Sequence, residues 1–204
     1  MKKYINYQVP SDWHEDGLLM DKKFSFLVFL AIIRDSKRNP NEQHRYKHRV
    51  YAQSIQKETG LSLNTVKKKI QYMQDKEIIS IDEDGTALIG RFEKSKYVLL
   101  TNEEVEMLLK LGGKSENSIR MYIYLKSLHF VSRSLESNIL VSQDKIAERI
   151  GLSINNRSKI KEITKILTDS KLVKTNKSWV YDKTLKKSVL NINYRLPKSQ
   201  YFNV

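Results

Sequence analysis

One pentapeptide occurs almost unchanged at two places in this chain, and this duplication constrains the fold more than any other feature. It reads GLSLN at residues 60–64 and GLSIN at residues 151–155, so four of the five residues are identical. An isoleucine lies five residues before the glycine in both copies, Ile55 in the first and Ile146 in the second. A repeat of this kind predicts one supersecondary unit that is present twice.

The similarity continues beyond the pentapeptides. Residues 74–79 (QDKEII) align with residues 168–173 (TDSKLV), which leaves the second copy three residues longer between the two landmarks. A further apolar segment precedes each copy, at residues 21–34 and 118–131, and each of these segments predicts a helix.

Segments rich in β-branched and aromatic residues follow each copy, at residues 86–100 and 178–196, and predict a β-hairpin in both. Each half therefore reads helix, helix, tight turn, helix, hairpin, the element order of a winged helix-turn-helix domain. We predict an α+β, mostly helical protein with two such domains in tandem, each with three helices and a hairpin wing. The domains span residues 1–100 and 118–204, and a linker with one short helix, residues 101–117, joins them.

The residues of the repeated turn suit its geometry. Gly60 and Gly151 are predicted to end the second helix in the left-handed conformation that other residues avoid. Ser62 and Ser153 are the expected N-caps of the third helix. In the second copy Asn155 is an alternative cap.

Two signals define the linker. Thr101 and Glu104 have the spacing of a capping box, which predicts the start of the short helix. The segment GGKSENS at residues 112–118 predicts a flexible break between the domains.

The chain is strongly basic, with 37 Lys and Arg residues against 23 Asp and Glu residues and a net charge of +14. This balance favours a polyanionic partner, although charge that serves only solubility is the alternative. The absence of cysteine excludes disulfides and thiolate metal sites and agrees with a reducing compartment. The longest apolar run is too short to span a bilayer, and the first residues lack signal-peptide features. We therefore expect a cytoplasmic location, in a bacterial or phage-infected cell, and no membrane partner.

The third helix of the first copy has one apolar side, formed by Leu63, Val66, Ile70 and Met73. Amide side chains can pair with adenine edges, and lysine can reach guanine or phosphate, so the opposite side suits DNA. A solvated polar face is the alternative. The candidate DNA-binding residues are Ser62, Asn64, Thr65, Lys67, Lys68, Lys69, Gln71 and Tyr72.

In the second copy Ile160, Ile163 and Leu167 are predicted to face inward. Three cations then recur at every fourth position on the outer side, and Glu162 interrupts the pattern. Neighbouring cations on a helix repel one another unless an anion lies beside them, which favours a phosphate backbone as partner. The candidates are Ser153, Asn155, Asn156, Arg157, Ser158, Lys161 and Lys165.

Both predicted hairpin tips are basic. Such residues can protect edge strands from pairing, or they can contact phosphates or the minor groove. The candidates are Arg91, Lys94 and Lys96 in the first copy and Lys183, Lys186 and Lys187 in the second.

The segments GLSLNTVKKKIQYMQDKEIISI and GLSINNRSKIKEITKILTDSKLVKT resemble winged-helix DNA-binding modules. The whole chain resembles plasmid or phage replication initiators with two such modules, and residues 22–100 and 118–197 carry the resemblance. It implies that the third helix docks in the major groove and that the wing contacts the backbone or the minor groove. The second copy departs from this pattern by a longer turn or a longer third helix.

Motifs that would indicate an enzyme are incomplete. LGGKS at residues 111–115 lacks the first glycine and the preceding strand of a phosphate-binding loop. Residues 82–93 lack the glycine that a calcium loop requires at its sixth position and fit a hairpin turn better. We expect no enzymatic activity, no cofactor and no metal site.

The sequence therefore predicts a sequence-specific double-stranded DNA-binding protein whose two modules occupy adjacent major-groove segments. The tandem architecture leads us to hypothesise a role in replication initiation of a plasmid, phage or other mobile element. One alternative is a transcriptional regulator with the same DNA-binding surface. Another is an adaptor in which one module binds a protein, such as a replisome component or a second copy of the chain. No small-molecule ligand is evident.

Overall fold

The structure is a computed structural model that describes residues 6–10, 17–34, 37–38, 46–89, 97–132, 138–182 and 186–196. The chain divides into two compact units, Met1–Ile119 (unit 1) and Arg120–Val204 (unit 2). The described residues form seven α-helices and three small antiparallel sheets, with more helix than strand. The predicted α+β class is confirmed.

Unit 1 contains most of the elements. In chain order they are β1 (Asn6–Pro10), α1 (Phe26–Arg34), β2 (Lys37–Arg38), β3 (Tyr46–Arg49), α2 (Ala52–Thr59), α3 (Leu63–Asp75), β4 (Ile79–Ile81), β5 (Thr86–Ile89), β6 (Tyr97–Thr101) and α4 (Asn102–Lys110). A short 3-10 helix, Gly113–Ser115, follows α4.

Unit 2 repeats part of this order. The helix α5 (Glu116–Ser132) begins in unit 1 and continues into unit 2, so the division between the units falls inside it. The remaining elements are β7 (Asn138–Leu140), α6 (Gln143–Arg149), α7 (Arg157–Asp169), β8 (Lys174–Asp182) and β9 (Lys187–Arg195).

The sheets of the two units share one pairing scheme. In unit 1 the strand order is β2-β3-β5-β4, and in unit 2 it is β7-β9-β8. In unit 1, β3 precedes α2 and pairs antiparallel with β5, the last strand of the hairpin after α3. In unit 2, β7 precedes α6 and pairs antiparallel with β9, the last strand of the hairpin after α7. The sequence repeat therefore corresponds to a repeated topology.

The buried sides of the third helices, α3 and α7, are those that helical periodicity predicts. Val66, Ile70 and Met73 are buried on α3, whereas Leu63, predicted on the same side, is only partly buried. Ile160, Ile163 and Leu167 are buried on α7. The helix α1 is apolar on every side, and its residues from Phe26 to Ile33 are all buried.

The repeated turn has the predicted left-handed glycines, with φ of 69° at Gly60 and 73° at Gly151. The end of the following helix is also duplicated. Glu77 and Lys171 lie 94 positions apart, as the sequence offset requires, and have φ of 56° and 61°. In both copies the next residue donates its N–H to the carbonyl five residues earlier, from Ile78 in unit 1 at 2.9 Å and from Leu172 in unit 2 at 3.0 Å.

One of the two predicted N-caps is confirmed and the other is wrong. Ser62 caps α3, because its hydroxyl oxygen accepts the N–H of Thr65 at 3.2 Å. The prediction for the second copy is wrong: neither Ser153 nor Asn155 is the cap, since α7 begins at Arg157 with Asn156 before it. The three additional residues form a turn of their own, closed by the Asn156 N–H on the Ser153 carbonyl at 2.9 Å.

The hairpin predicted over residues 86–100 is wrong. The strand β5 pairs with β4 through the turn at residues 82–85, whereas β6 pairs with β1 in a separate sheet. Val98 and Leu100 on β6 are buried, so this strand contributes to the core of unit 1 instead of forming a projecting hairpin.

The capping box is confirmed at the start of α4. The Thr101 hydroxyl accepts the Glu104 N–H at 3.0 Å, and the Glu104 carboxylate accepts the Thr101 N–H at 2.8 Å. Residues 112–118, predicted as a flexible break, instead form the 3-10 helix and the first turn of α5. Glu116 fixes this segment to α1, since its carboxylate accepts the N–H of Phe26 at 2.8 Å.

Candidate nucleic-acid interface

The outward side of α3 is a polar stripe. Asn64, Lys67, Lys68 and Gln71 are exposed and lie three or four positions apart, directly opposite the buried side of the helix. The Gln71 amide donates to the Asp75 carboxylate at 2.8 Å. These residues are therefore accessible from solvent along the length of the helix.

Two other candidate residues on α3 form hydrogen bonds within unit 1. The Lys69 ammonium donates to the carbonyl oxygens of Lys22 and Lys23 at 3.0 and 2.8 Å. The Tyr72 hydroxyl donates to the Asp21 carboxylate. This hydrogen bond, followed by partial burial and the charge of Asp21, raises the pKa of Tyr72 to about 12. Both side chains therefore attach the segment before α1 to α3.

Ser62 and Thr65 are likewise engaged within the cap. Their hydroxyl oxygens lie 2.8 Å apart, in addition to the bond between the Thr65 N–H and Ser62. The helix start is thus fixed, and Asn64 is the exposed polar side chain that lies between these two residues.

The outward side of α7 carries alternating charges. Lys161 and Lys165 are exposed and lie one turn apart, with Ser158 one turn before them. Glu162 is bound by Lys159 at 2.8 and 2.9 Å.

The turn before α7 presents exposed polar groups. Ser153, Asn155 and Asn156 are all exposed there, and no side chain caps the helix. Arg157 follows, and it donates to both carboxylate oxygens of Asp144 on α6, at 2.8 and 2.7 Å. This pairing lowers the pKa of the Asp144 carboxyl and raises that of Arg157.

The hairpin after α3 is acidic at its turn. Asp82, Glu83 and Asp84 are exposed between β4 and β5, and the carboxylates of Asp82 and Asp84 accept the Thr86 N–H at 2.8 and 2.9 Å. This turn repels phosphate. The basic residues predicted for this hairpin, Arg91, Lys94 and Lys96, fall outside the described residues and follow β5.

The hairpin after α7 is long and basic. Its strands β8 and β9 have nine residues each, and the exposed Lys186 lies next to β9 with φ of 47°. Lys187 begins β9, and Lys183 falls outside the described residues. Trp179 on β8 is 71% exposed, and it is not among the residues predicted from the sequence. The signal in the sequence was a tryptophan that directly follows the polar run KTNKS of residues 174–178.

Charge is unequally divided between the units. Unit 2 has 17 Lys and Arg residues and 6 Asp and Glu residues, a net charge of +11. Unit 1 has 20 and 17, a net charge of +3. A polyanion is therefore attracted mainly to the unit in which both the exposed helix side and the hairpin are basic.

Unit 1 has a cleft of about 430 Å³, which is lined by Arg34, Glu58, Asn102, Glu106, Leu109 and Lys110. Arg34 and Glu58 form an ion pair there. Because the lining also includes Glu106 and Lys110, it has two cationic and two anionic residues, and its charge does not favour a ligand of either sign.

Comparison of the chain with protein-family models, curated proteins and solved structures gave no match. In the part of the chain that the structure describes, no helix has the length and apolarity needed to cross a membrane. Nor does that part bring together three side chains of the types that bind metal ions.

Proposed function

We propose that this chain is a sequence-specific double-stranded DNA-binding protein built from two winged-helix modules. The net charge of +11 in unit 2, where α7 and the β8–β9 hairpin both expose cations, is the observation that carries the proposal. The shared helix order and sheet pairing of the two units support the assignment of both to one module type.

In the proposed complex α7 lies in the major groove. The exposed Lys161 and Lys165 neutralise phosphates along one strand, while the amides of Asn155 and Asn156 at the helix start are placed to read base edges. The hairpin follows the backbone into the neighbouring groove with Lys186 at its end.

Unit 1 contributes a weaker contact of the same kind. Asn64, Lys67 and Lys68 form its reading surface on α3, and the acidic turn at residues 82–85 keeps its hairpin away from phosphate. Two linked modules allow one chain to read a bipartite site, since docking of one raises the effective concentration of the other.

Replication initiation of a plasmid, phage or other mobile element is the biological role that we propose, because the tandem arrangement of two modules resembles such initiators. A transcriptional regulator would use the same surfaces. The two roles differ in where the bound sites lie, at an origin with repeated sites or at promoters.

The acidic turn also favours a second candidate function, in which unit 2 binds DNA and unit 1 binds a protein partner. Asp82, Glu83 and Asp84 would then face a basic or polar surface of a replisome component or of another copy of the chain.

The deciding experiment is selection of bound fragments from a random duplex library by the purified full chain, followed by sequencing. A bipartite motif is expected, with half-sites about one helical turn apart. A single short motif would favour the second candidate function. Recovery without any enriched sequence would overturn specific binding.

A further inference from the structure

Trp179 is the most exposed large apolar residue in the described part of the chain, with 71% of its surface accessible. Leaving so much apolar surface in water forgoes the stabilisation that burial of a tryptophan provides. Single exposed apolar residues are common, so position and surroundings decide whether this one has a role.

The hairpin holds Trp179 away from the body of unit 2. The three-stranded part of the sheet ends at the row in which Leu140 and Asn176 both pair with Asn193. Trp179 lies three residues further along β8, opposite Leu190, in the two-stranded part. At the rise of a β-strand this is about 10 Å beyond the three-stranded sheet.

The side chain points to the same side of the sheet as the helices. Trp179 and Thr175 are four residues apart on β8 and therefore share a face, and Thr175 is paired with Tyr194. Tyr194 is fully buried, and burial raises the pKa of its hydroxyl, an effect that the nearby side chains of Thr164 on α7 and Gln143 on α6 oppose. Trp179 thus projects on the side of the hairpin that α7 occupies.

The charge around Trp179 suits a polyanion. Residues 174–196 contain six Lys and Arg residues and one acidic residue, Asp182. Lys174 and Lys177 on the same strand are exposed, as is Lys186 at the end of the hairpin. Proteins that bind nucleic acids combine cations, which hold phosphates, with aromatic rings, which stack on bases. Trp179 and the lysines around it provide this combination.

We propose that Trp179 is a wedge that enters the duplex beside the segment occupied by α7, stacks on a base and unstacks the neighbouring base pair. This step rests on the proposed DNA-binding function and adds an activity to it, the local distortion of the bound duplex. Apolar side chains that enter a base step from the minor groove kink DNA in this way. Pyrimidine–purine steps, which unstack most easily, are the expected targets.

The first test uses fluorescence of Trp179 in the full chain. The chain has two tryptophans, so Trp13→Phe leaves Trp179 as the only one. Titration with a mixed-sequence duplex at low salt, and with the duplex recovered by selection, is expected to quench the fluorescence as the ring stacks on a base. Dilution of the protein without DNA is the control, and a concentration-dependent change there would mean that Trp179 contacts another copy of the chain, which would overturn the proposal.

The second test measures distortion directly by permanganate oxidation of unstacked thymines in the bound duplex. Wild type and Trp179→Phe should both give a reactive thymine within the site, whereas Trp179→Ala should lose it and bind about 10-fold more weakly. Because the side chain is exposed, the thermal unfolding of both variants should match that of wild type.

The outcomes separate the two proposals. Tight DNA binding with unchanged Trp179 fluorescence and unchanged permanganate reactivity would overturn the wedge and leave the DNA-binding function standing. Absence of any binding by wild type to either duplex would overturn both.

Discussion

Arg157 at the start of α7 and Asp144 on α6 form a two-pronged ion pair, with the guanidinium nitrogens 2.8 and 2.7 Å from the two carboxylate oxygens. Both side chains are substantially exposed, at 66% for Arg157 and 43% for Asp144. The pair orients the guanidinium but also places a negative charge beside the helix that we propose to enter the major groove.

Asp144→Asn should therefore strengthen DNA binding. The substitution removes one repulsive charge and allows Arg157 to turn toward a phosphate, so we expect a Kd about 3-fold lower and a steeper dependence on salt. Fluorescence anisotropy of a labelled duplex across a salt series measures both. Glu148→Gln makes the same charge change on the same helix, and equal gains in the two variants would show that release of Arg157 adds nothing.

The unequal charge of the units predicts unequal salt dependence. Lys161→Gln with Lys165→Gln should reduce the slope of log K against log salt by about 1.8, because two phosphate contacts are lost at ~0.9 each. The matched pair Lys67→Gln with Lys68→Gln in α3 removes the same charge and should change the slope less. A larger effect in α3 would contradict the assignment of the main contact to unit 2.

Local sequence patterns predicted much of the fold. The third helices, their buried sides, the left-handed glycines and the capping box at Thr101 all depend on residues within a few positions of one another, and all were correct. The partner of β6 was not predictable in the same way. It pairs Leu100 with Tyr7, and periodicity shows which strand residues are buried but not which distant strand lies beside them.

In the candidate site, too, local sequence patterns were predictive and contacts between distant residues were not. Periodicity placed Tyr72 and Lys69 on the polar side of α3, but their hydrogen bonds go to residues 21–23, about fifty positions earlier in the chain. In unit 2, comparison with the first copy showed three extra residues but not their conformation. These residues close a turn of their own, and α7 therefore begins later than predicted.

Glu116 stabilises the start of α1, which has no acidic residue in its own first turn. Its carboxylate accepts the N–H of Phe26 at 2.8 Å and the hydroxyl of Ser25 at 3.0 Å. A carboxylate at a helix N-terminus satisfies unpaired N–H groups and interacts favourably with the helix dipole. Glu116→Gln should lower the free energy of unfolding by about 1 kcal/mol, measured by urea denaturation.

The exposed Glu83 provides the control for this prediction. Glu83→Gln makes the same change of charge and size in the β4–β5 turn, and we expect the free energy of unfolding to change by less than about 0.5 kcal/mol. Equal losses in the two variants would mean that Glu116 acts only through net charge.

The bond between Tyr72 and Asp21 predicts a loss of stability at alkaline pH. The pKa of Tyr72 is raised from 10.0 to about 12, chiefly because its hydroxyl donates to the Asp21 carboxylate. Folding therefore favours the protonated phenol, so the stabilisation is complete below pH 10 and disappears as the pH rises to 12. Tyr72→Phe removes this contribution and should cost about 1 kcal/mol at neutral pH.

Burial also raises the pKa values of Tyr124 and Tyr194, so the comparison of wild type with Tyr72→Phe isolates the contribution of Tyr72. Urea denaturation at a series of pH values should show the stability difference between the two proteins narrowing from pH 10 to 12. The difference in their phenolate absorbance in the folded state should titrate with a midpoint at about pH 12. A constant stability difference at all pH values, with phenolate formation near pH 10, would show that Asp21 does not hold the Tyr72 proton.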